Sequence, residues 1–378
     1  MPGLVEQTPK YRQLKRLLVE QIDAGRYAPG ARIASENELV REYGVSKHTV
    51  LKALTELVSE GALYREQGRG TFVAGTPGRK AAETGAIGVV VPILGGELTL
   101  SPAFRALAGI SQAAEAASPP RRLLLSDSAG DPGREADRLE ELRRERVAGV
   151  LLQPCFNSGP RTVTALNRLR KDGIPFVLVD HVLSEPPADF VGTDDRRGAA
   201  ALTEHLFAQG HRRIAHVTLP KTWYRDSAPA RDRAAGYRDA LQAAGVAFDE
   251  RWFQHRVKDT CTEALRRILR CEPRPTALFA VDAFTAFVLY REIRARGLRI
   301  PEDLALAGFD DVPAAAMLDV PLTMMEQDFS RIGALAFQRL GELIRNVAGE
   351  PRSVRLEPML RARRSTGVQG QFAERRAP

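Results

Sequence analysis

The chain has 378 residues, 44% hydrophobic and 27% charged, the balance of a globular protein with material for two or three compact domains. Its net charge of +8 is unevenly placed, because the first 80 residues carry 13 Lys and Arg against 9 Asp and Glu; this permits a nucleic-acid partner without requiring one. Three cysteines without CxxC spacing and six histidines without HxxxH or HExxH spacing argue against a disulfide frame and a metal site. The N-terminus has no apolar signal-like core, and the longest apolar run, "AIGVVVPIL", is too short to cross a bilayer, so a cytoplasmic protein away from membranes is expected.

In chain order, Pro9 to Gly25 reads as a first helix with Tyr11, Leu14, Leu17, Leu18 and Ile22 on its inner face. "YAPGARI" breaks it. Ser35 then caps a second helix running to Tyr43, with Glu38 completing a capping box. After the turn-like Tyr43-Gly44, Ser46 caps a third helix whose Val50, Leu51, Leu54, Leu57 and Val58 recur at helical spacing, and Gly61 stops it. Two short strands follow, Ala62–Tyr64 and Thr71–Val73, joined by the turn "EQGRG". Two helices joined by a short turn and followed by a hairpin make a winged helix-turn-helix. Residues 76–85 then read as a flexible linker, rich in Gly, Pro and charge.

From Ile87 the pattern changes to apolar runs ("AIGVVVP", "RLLLSD", "GVLLQP", "FVLVD", "IAHVTL", "TALFAVD", "LALAGFD") alternating with amphipathic stretches. That alternation predicts parallel sheets covered on both faces by helices. Ligands of such sheets bind beyond the strands' carboxyl ends. The rule points to Pro92, Asp127, Gln153, Asp180, Leu219, Asp282 and Asp310. No GxGxxG or GxxxxGK[ST] follows a strand, so a nucleotide cofactor has no support, and no triad of nucleophile, base and orienting acid suggests catalysis.

The segments "YAPGARIASENEL", "YGVSKHTVLKAL" and "EGALYREQGRGTFV" make residues 1–75 resemble the winged-helix DNA-binding domain of the GntR family, in its arabinose-repressor-like branch. Residues 86–366 are similar to a different module, the periplasmic-binding-protein-like effector domain of LacI/GalR repressors. The motifs are "GIPFVLVD", "VGTDDRRGAALTEHLFAQGHRRIAHV", "RAAGYRDAL", "FAVD", "GLRIPEDLALAGFDD" and "PLTMMEQDFSRIGALA". The implied fold class is an α+β winged helix joined to an α/β two-lobed, type I effector domain. The resemblance implies three chain crossings between the lobes, expected near 180–192, 308–313 and 322–328. Residues 367–378 read as a disordered tail. The pattern departs from many GntR-type domains at Leu51 and Asn37, where arginine is frequent, so base preference does not transfer.

A recognition helix meets DNA with its N-terminal residues. Ser46, Lys47, His48 and Thr49 occupy that end, where Lys47 can donate to guanine and Thr49 can reach a base edge or a thymine methyl. Lys52, one turn on, is expected at the backbone. Arg69, between Gly68 and Gly70, suits a narrow minor groove, with Gln67 and Asn37 as further contacts. For the effector, the resemblance places Asp180, Arg233, Asp282 and Gln327 at a cleft. Arg233 is expected to fork across two hydroxyls, and Trp223, Tyr224, Phe284 or Phe104 to stack on a sugar ring. Asp310-Asp311 is assigned to a lobe crossover and Asp194-Asp195 to a helix N-cap.

These readings make the chain a sequence-specific regulator, a homodimeric repressor of double-stranded operator DNA released by a small-molecule effector, a sugar. The alternatives are a purine- or metabolite-responsive corepressed regulator, a cytoplasmic sugar-binding protein without a regulatory role, and an enzyme on the doubly wound scaffold.

Overall fold

The structure is a computed structural model that describes residues 9–23, 26–27, 30–59, 63–66, 69–73, 85–92, 102–345 and 350–367. Gln67, Gly68, Gly61, nearly all of the expected linker and the expected tail after residue 367 lie outside the described residues. The chain divides into two units, Met1–Glu83 and Thr84–Pro378.

The first unit holds α1 (Lys10–Asp23), α2 (Glu36–Tyr43), α3 (Lys47–Ser59) and an antiparallel pair, β1 (Leu63–Glu66) with β2 (Gly70–Val73). Ser35 and Glu38 form the capping box of α2, and Gly44 ends that helix at φ +62°, a left-handed turn that glycine adopts without penalty. The three helices and the wing close over Leu14, Leu18, Leu39, Val50, Leu54, Leu57 and Val73. Leu17 is not part of this core and is 40% exposed. At 3.6 residues per turn it lies roughly 100° from the centre of the Tyr11-Leu14-Leu18-Ile22 stripe. The strands gain a third partner, since Ile33 N–H donates to Thr71 O (3.0 Å) and Val73 N–H to Ala31 O (2.9 Å).

The second unit begins with β3 (Ile87–Val91), α4 (Pro102–Ala116), β4 (Leu123–Asp127), α5 (Pro132–Arg144), β5 (Gly149–Leu152), α6 (Pro160–Lys171), β6 (Phe176–Val179) and β7 (Asp189–Thr193). It continues with α7 (Asp195–Ala208), β8 (Ile214–Thr218), α8 (Lys221–Asp226), α9 (Ala228–Ala243), β9 (Phe253–His255), α10 (Thr262–Leu269), β10 (Ala277–Ala280) and α11 (Ala283–Ala295). It ends with β11 (Ala305–Phe309), α12 (Pro313–Met317), β12 (Thr323–Glu326), α13 (Phe329–Ile344), β13 (Ser353–Leu356) and β14 (Met359–Arg361). Two sheets result, in the orders β13-β7-β6-β5-β3-β4 and β14-β12-β11-β10-β8-β9. All neighbours are parallel except β14, which runs antiparallel to β12. In each lobe the order reverses at the first strand, β3 or β8, and a crevice opens at such a switch point.

Of the expected crossings, only the one near 322–328 is met, by a crossing at 326–329. The chain leaves the first lobe at 193–195, returns at 326–329 as α13 packs on α4, β6 and β7, and leaves again at 356–359. The segment 308–313 is no crossing, because β11, α12 and β12 stay in the second lobe. The third crossing was hidden because β13 and β14 lie in "SVRLEPMLR", mostly exposed edge strands without an apolar run.

Candidate nucleic-acid interface and effector cavity

At the start of α3, Ser46 Oγ accepts from Thr49 N–H (3.2 Å) and sits 2.8 Å from Thr49 Oγ1. This holds the first turn and leaves Lys47 and His48 exposed beyond it, with Thr49 half-buried. Helix N-terminal N–H groups and two adjacent basic side chains form an anion-favouring surface. Asn37 is exposed in the first turn of α2, and Arg69 is exposed at the wing. Lys52 is placed differently from expectation. Its Nζ lies 4.0 Å from the centre of the Tyr11 ring, a cation–π contact that turns it toward α1.

In the second unit a cavity of about 350 Å³ opens between the carboxyl ends of the two sheets, within the size range of small-molecule sites. The first lobe contributes Pro92, Gln153, Phe156, Asp180 and His181, and the second contributes Leu219, Trp223, Arg233, Arg256, Asp282, Phe284, Asp310 and Gln327. Asp180, Arg233, Asp282, Gln327 and Trp223 are thus brought together in one cavity, whereas Tyr224 packs edge-on against Phe253 and His255 and Phe104 is not in its lining.

Asp180 and Asp310 follow β6 and β11, the fourth strand of each lobe, and both adopt left-handed backbone, φ +65° and +68°. Asp tolerates that region better than most residues, and such conformations cluster at functional sites. Asp180 is buried and accepts from Gln153 Nε2 (2.9 Å). Asp282 both lines the cavity and caps α11, its Oδ1 accepting from Thr285 N–H (2.7 Å). Gln327 Nε2 donates to Asp310 Oδ1. The Oε1 atoms of Gln153 and Gln327 are buried without a partner.

Arg233 is not an open fork. Its Nε donates to Asp195 (2.7 Å), its Nη1 to Val281 O (2.7 Å) and Asp310 Oδ2 (3.3 Å), and its Nη2 to Asp310 Oδ1 (3.2 Å). The guanidinium also lies 3.9 Å from the Phe309 ring centre. Burial alone would lower the Arg233 pKa, but Asp310 and Asp195 carry it upward, so it stays charged. Two buried carboxylates on one guanidinium cannot both be fully compensated. Accordingly desolvation, only partly opposed by Arg233, pushes Asp195 up to about 6 and raises Asp310 as well. Asp310 therefore belongs to the cavity and not to a crossover. Asp194 alone is the N-cap of α7, and Asp195 next to it is the partner of Arg233.

The apolar faces come from Phe156 and Trp223, whose rings are 6.5 Å apart at 9°, and from Phe284. Phe156, Arg256 and Asp195 were not foreseen. They follow β5 by a short loop, follow the three-residue β9, or sit beside a cap, with no periodicity to mark them. Cys155 also lines the cavity, but burial, reinforced by Glu135, pushes its thiol up to about 12, leaving no nucleophilic thiolate. The arrangement binds rather than transforms: carboxylates and amide oxygens accept from hydroxyls, guanidinium groups donate, and rings cover apolar faces. Among the described residues no helix is long and apolar enough to cross a membrane, and no cluster of metal-ligating side chains is present.

The pattern of the gntR family of bacterial regulatory proteins matches residues 10–73, and that of the periplasmic binding protein-like domain matches residues 203–366. The chain is 32% identical to an arabinose metabolism transcriptional repressor of Geobacillus stearothermophilus, over 89% of this chain and 91% of the relative. It is 30% identical to the protein of the same name in Halalkalibacterium halodurans, over 94% and 96%. A solved transcriptional regulator CelR–cellobiose complex superposes with TM-score 0.65 at 26% identity, covering 85% of this chain and 91% of that one. These repressors are a non-enzymatic class, and the chain belongs with them, among the gntR-family transcriptional regulators that carry a LacI-like, periplasmic-binding-protein-like effector domain.

Proposed function

We propose that this protein is a cytoplasmic homodimeric repressor whose paired winged helices bind a palindromic operator and which a sugar-like effector releases from DNA. The observation that carries the reading is the cavity lining: three carboxylates and two glutamines at strand ends, with two amide oxygens lacking partners. Such acceptors match vicinal hydroxyls, and the chain is similar to two arabinose metabolism repressors and to a regulator solved with cellobiose. A C₂ dimer fits the two-fold symmetry of a palindrome. Ser46, Lys47, His48, Thr49, Asn37 and Arg69 form the DNA surface, and Gln67 and Gly68 are proposed as further contacts. Asp180, Asp282 and Gln327 hold the effector, Trp223 covers it, and Arg233 orders the acids.

The test is a thermal-shift screen of sugars, followed by operator binding to DNA from upstream of the gene with and without each hit. A compound that raises the melting temperature and releases the DNA supports the reading. Hits that bind without altering DNA affinity refute the regulatory coupling. The near-parallel Phe156 and Trp223 rings favour one second reading, a planar base acting as corepressor; a purine that tightens operator binding would select it.

A further inference from the structure

Arg256 sets this cavity apart from a pocket built only for hydroxyls. It follows β9, with its N–H donating to Thr218 O (2.9 Å), and is 5% exposed. Its guanidinium stands 5.5 Å from the Trp223 ring centre and 4.9 Å from that of Phe284. Nη1 donates to Lys258 O, and the nearest carboxylate, Asp259, lies 3.8 Å away with its side chain 84% exposed. So exposed a counter-ion is screened and compensates a buried charge poorly. Nε is buried without any hydrogen-bond partner, and among the described residues Nη2 has none either. Arg233, equally buried, is by contrast saturated by two carboxylates and a carbonyl.

The unoccupied Nε–Nη2 edge of an arginine is the fork that takes a carboxylate in two parallel charge-assisted bonds. Its place in the sheet separates it from the acids. Arg256 follows β9, the edge strand; Asp282 follows β10, two strands in, and Asp310 follows β11, three strands in. At the usual spacing between strands, that is roughly 10 Å and 14 Å. The cavity therefore has buried acceptors toward one end and, toward the other, a buried cation whose nearest carboxylate among the described residues is the exposed Asp259, which also lines the cavity.

We infer that Arg256 receives a carboxylate of the effector, and that the effector is a sugar acid, a polyhydroxylated carboxylate such as an aldonate or uronate. Its hydroxyls face Asp180, Asp282 and Gln327 while its carboxylate docks on Arg256. The inference rests on the reading of this cavity as the effector site.

The experiment pairs neutral sugars with their acids (arabinose with arabinonate, galactose with galacturonate, glucose with gluconate) on the full-length protein, reading thermal shift and operator release. The expected result is that at least one acid acts at a concentration tenfold or more below its neutral parent. Arg256→Gln should erase that preference, while Arg256→Lys, a point charge without the fork, should retain only part of it. A neutral sugar that acts more potently than its acid overturns the proposal and leaves the sugar-responsive reading standing. An acid preference that survives in Arg256→Gln also overturns it. If neither class binds, both readings fall. The wild-type comparison decides even where a variant does not fold.

Discussion

Replacing Arg233 with methionine keeps much of the side chain's volume but removes the one cation shared by Asp195 and Asp310. Both carboxylates then remain in a site where Arg233 itself is 6% exposed and Asp195 2%, and Val281 O loses its donor. Breaking a buried ion pair by removing one partner costs about 3–5 kcal/mol, because the surviving charge has no compensation. The loss must depend on pH. Asp195 already sits at about 6 in the folded protein against an ordinary 3.8. Folding therefore takes up a proton there, and the associated stability is complete below about pH 4 and lost as pH rises through about 6. Without Arg233 the folded-state value climbs further, so the destabilisation is greatest at pH 8. It should shrink by at least about 1.4 kcal/mol at pH 5, the worth of one pKa unit.

Both tryptophans, Trp223 and Trp252, lie in the second unit, so their fluorescence reports its unfolding without a contribution from the DNA-binding unit. Urea titrations of wild type and Arg233→Met at pH 8 and pH 5 measure the effect directly. A melting-temperature drop of roughly 6–12 °C is expected at pH 8. Adding Asp195→Asn to the variant should recover part of it. A loss below about 1 kcal/mol at pH 8, or one of equal size at the two pH values, would refute the electrostatic account.

Three further substitutions probe other contacts. Lys52→Ala should cost about 0.5–1 kcal/mol of stability in the DNA-binding unit through the lost Tyr11 contact while leaving the salt dependence of operator binding unchanged; a slope reduced by about one would put Lys52 on a phosphate after all. Gly333→Ala would place a Cβ 2.0 Å from Ala106 O, a backbone atom, so α4 and α13 must move apart; a melting temperature within a degree of wild type would contradict that crossing. Gln327→Leu removes both a hydrogen bond to Asp310 and a buried Oε1 without a partner, so stability should change little. The ratio of operator affinities with and without effector should fall severalfold, and an unchanged ratio would cut Gln327 out of the response.

The legibility of this chain follows the locality of its interactions. Ser35, Glu38 and Ser46 act within one helical turn, so the helix-turn-helix was readable from cap spacing and apolar period, including the turn at Gly44. The central strands were readable as Val-, Leu- and Ala-rich runs because both faces of these parallel sheets are covered. Strand-end placement then brought Gln153, Asp180, Asp282 and Asp310 to attention. What stayed hidden is nonlocal or polar. The edge strands β13 and β14 alternate arginine with short apolar residues and carry no run, which misplaced a crossing. Arg233 reads as an open fork in isolation, yet Asp195 and Asp310 close it from 38 and 77 positions away. The Tyr11 ring beside Lys52 was hidden too, because nothing local reveals it.

The same partners explain how an occupied cavity can reach the rest of the molecule. Asp195 is the first residue of α7, directly after the first crossing, and Gln327 lies inside the second. One holds Arg233 and the other holds Asp310, so the Arg233–Asp310 pair in the cavity is bonded to segments at two of the crossings between the lobes. Near the second crossing, Arg105 of α4 donates to Asp311 O (3.0 Å) and approaches Glu326 Oε1 (3.4 Å), tying the first lobe to the second. An effector hydroxyl that engages Asp310 competes with Gln327 for the same oxygen. A ligand shifts a balance between conformations only by the difference in its binding to them. A difference of 1–3 kcal/mol, about one or two hydrogen bonds to a charged group, suffices for a 5- to 150-fold change in affinity at a coupled site. A substitution among Asp310, Arg233, Asp195 and Gln327 should therefore change the ratio of operator affinities with and without effector even where effector affinity itself is intact, and an unchanged ratio in all four would refute this link.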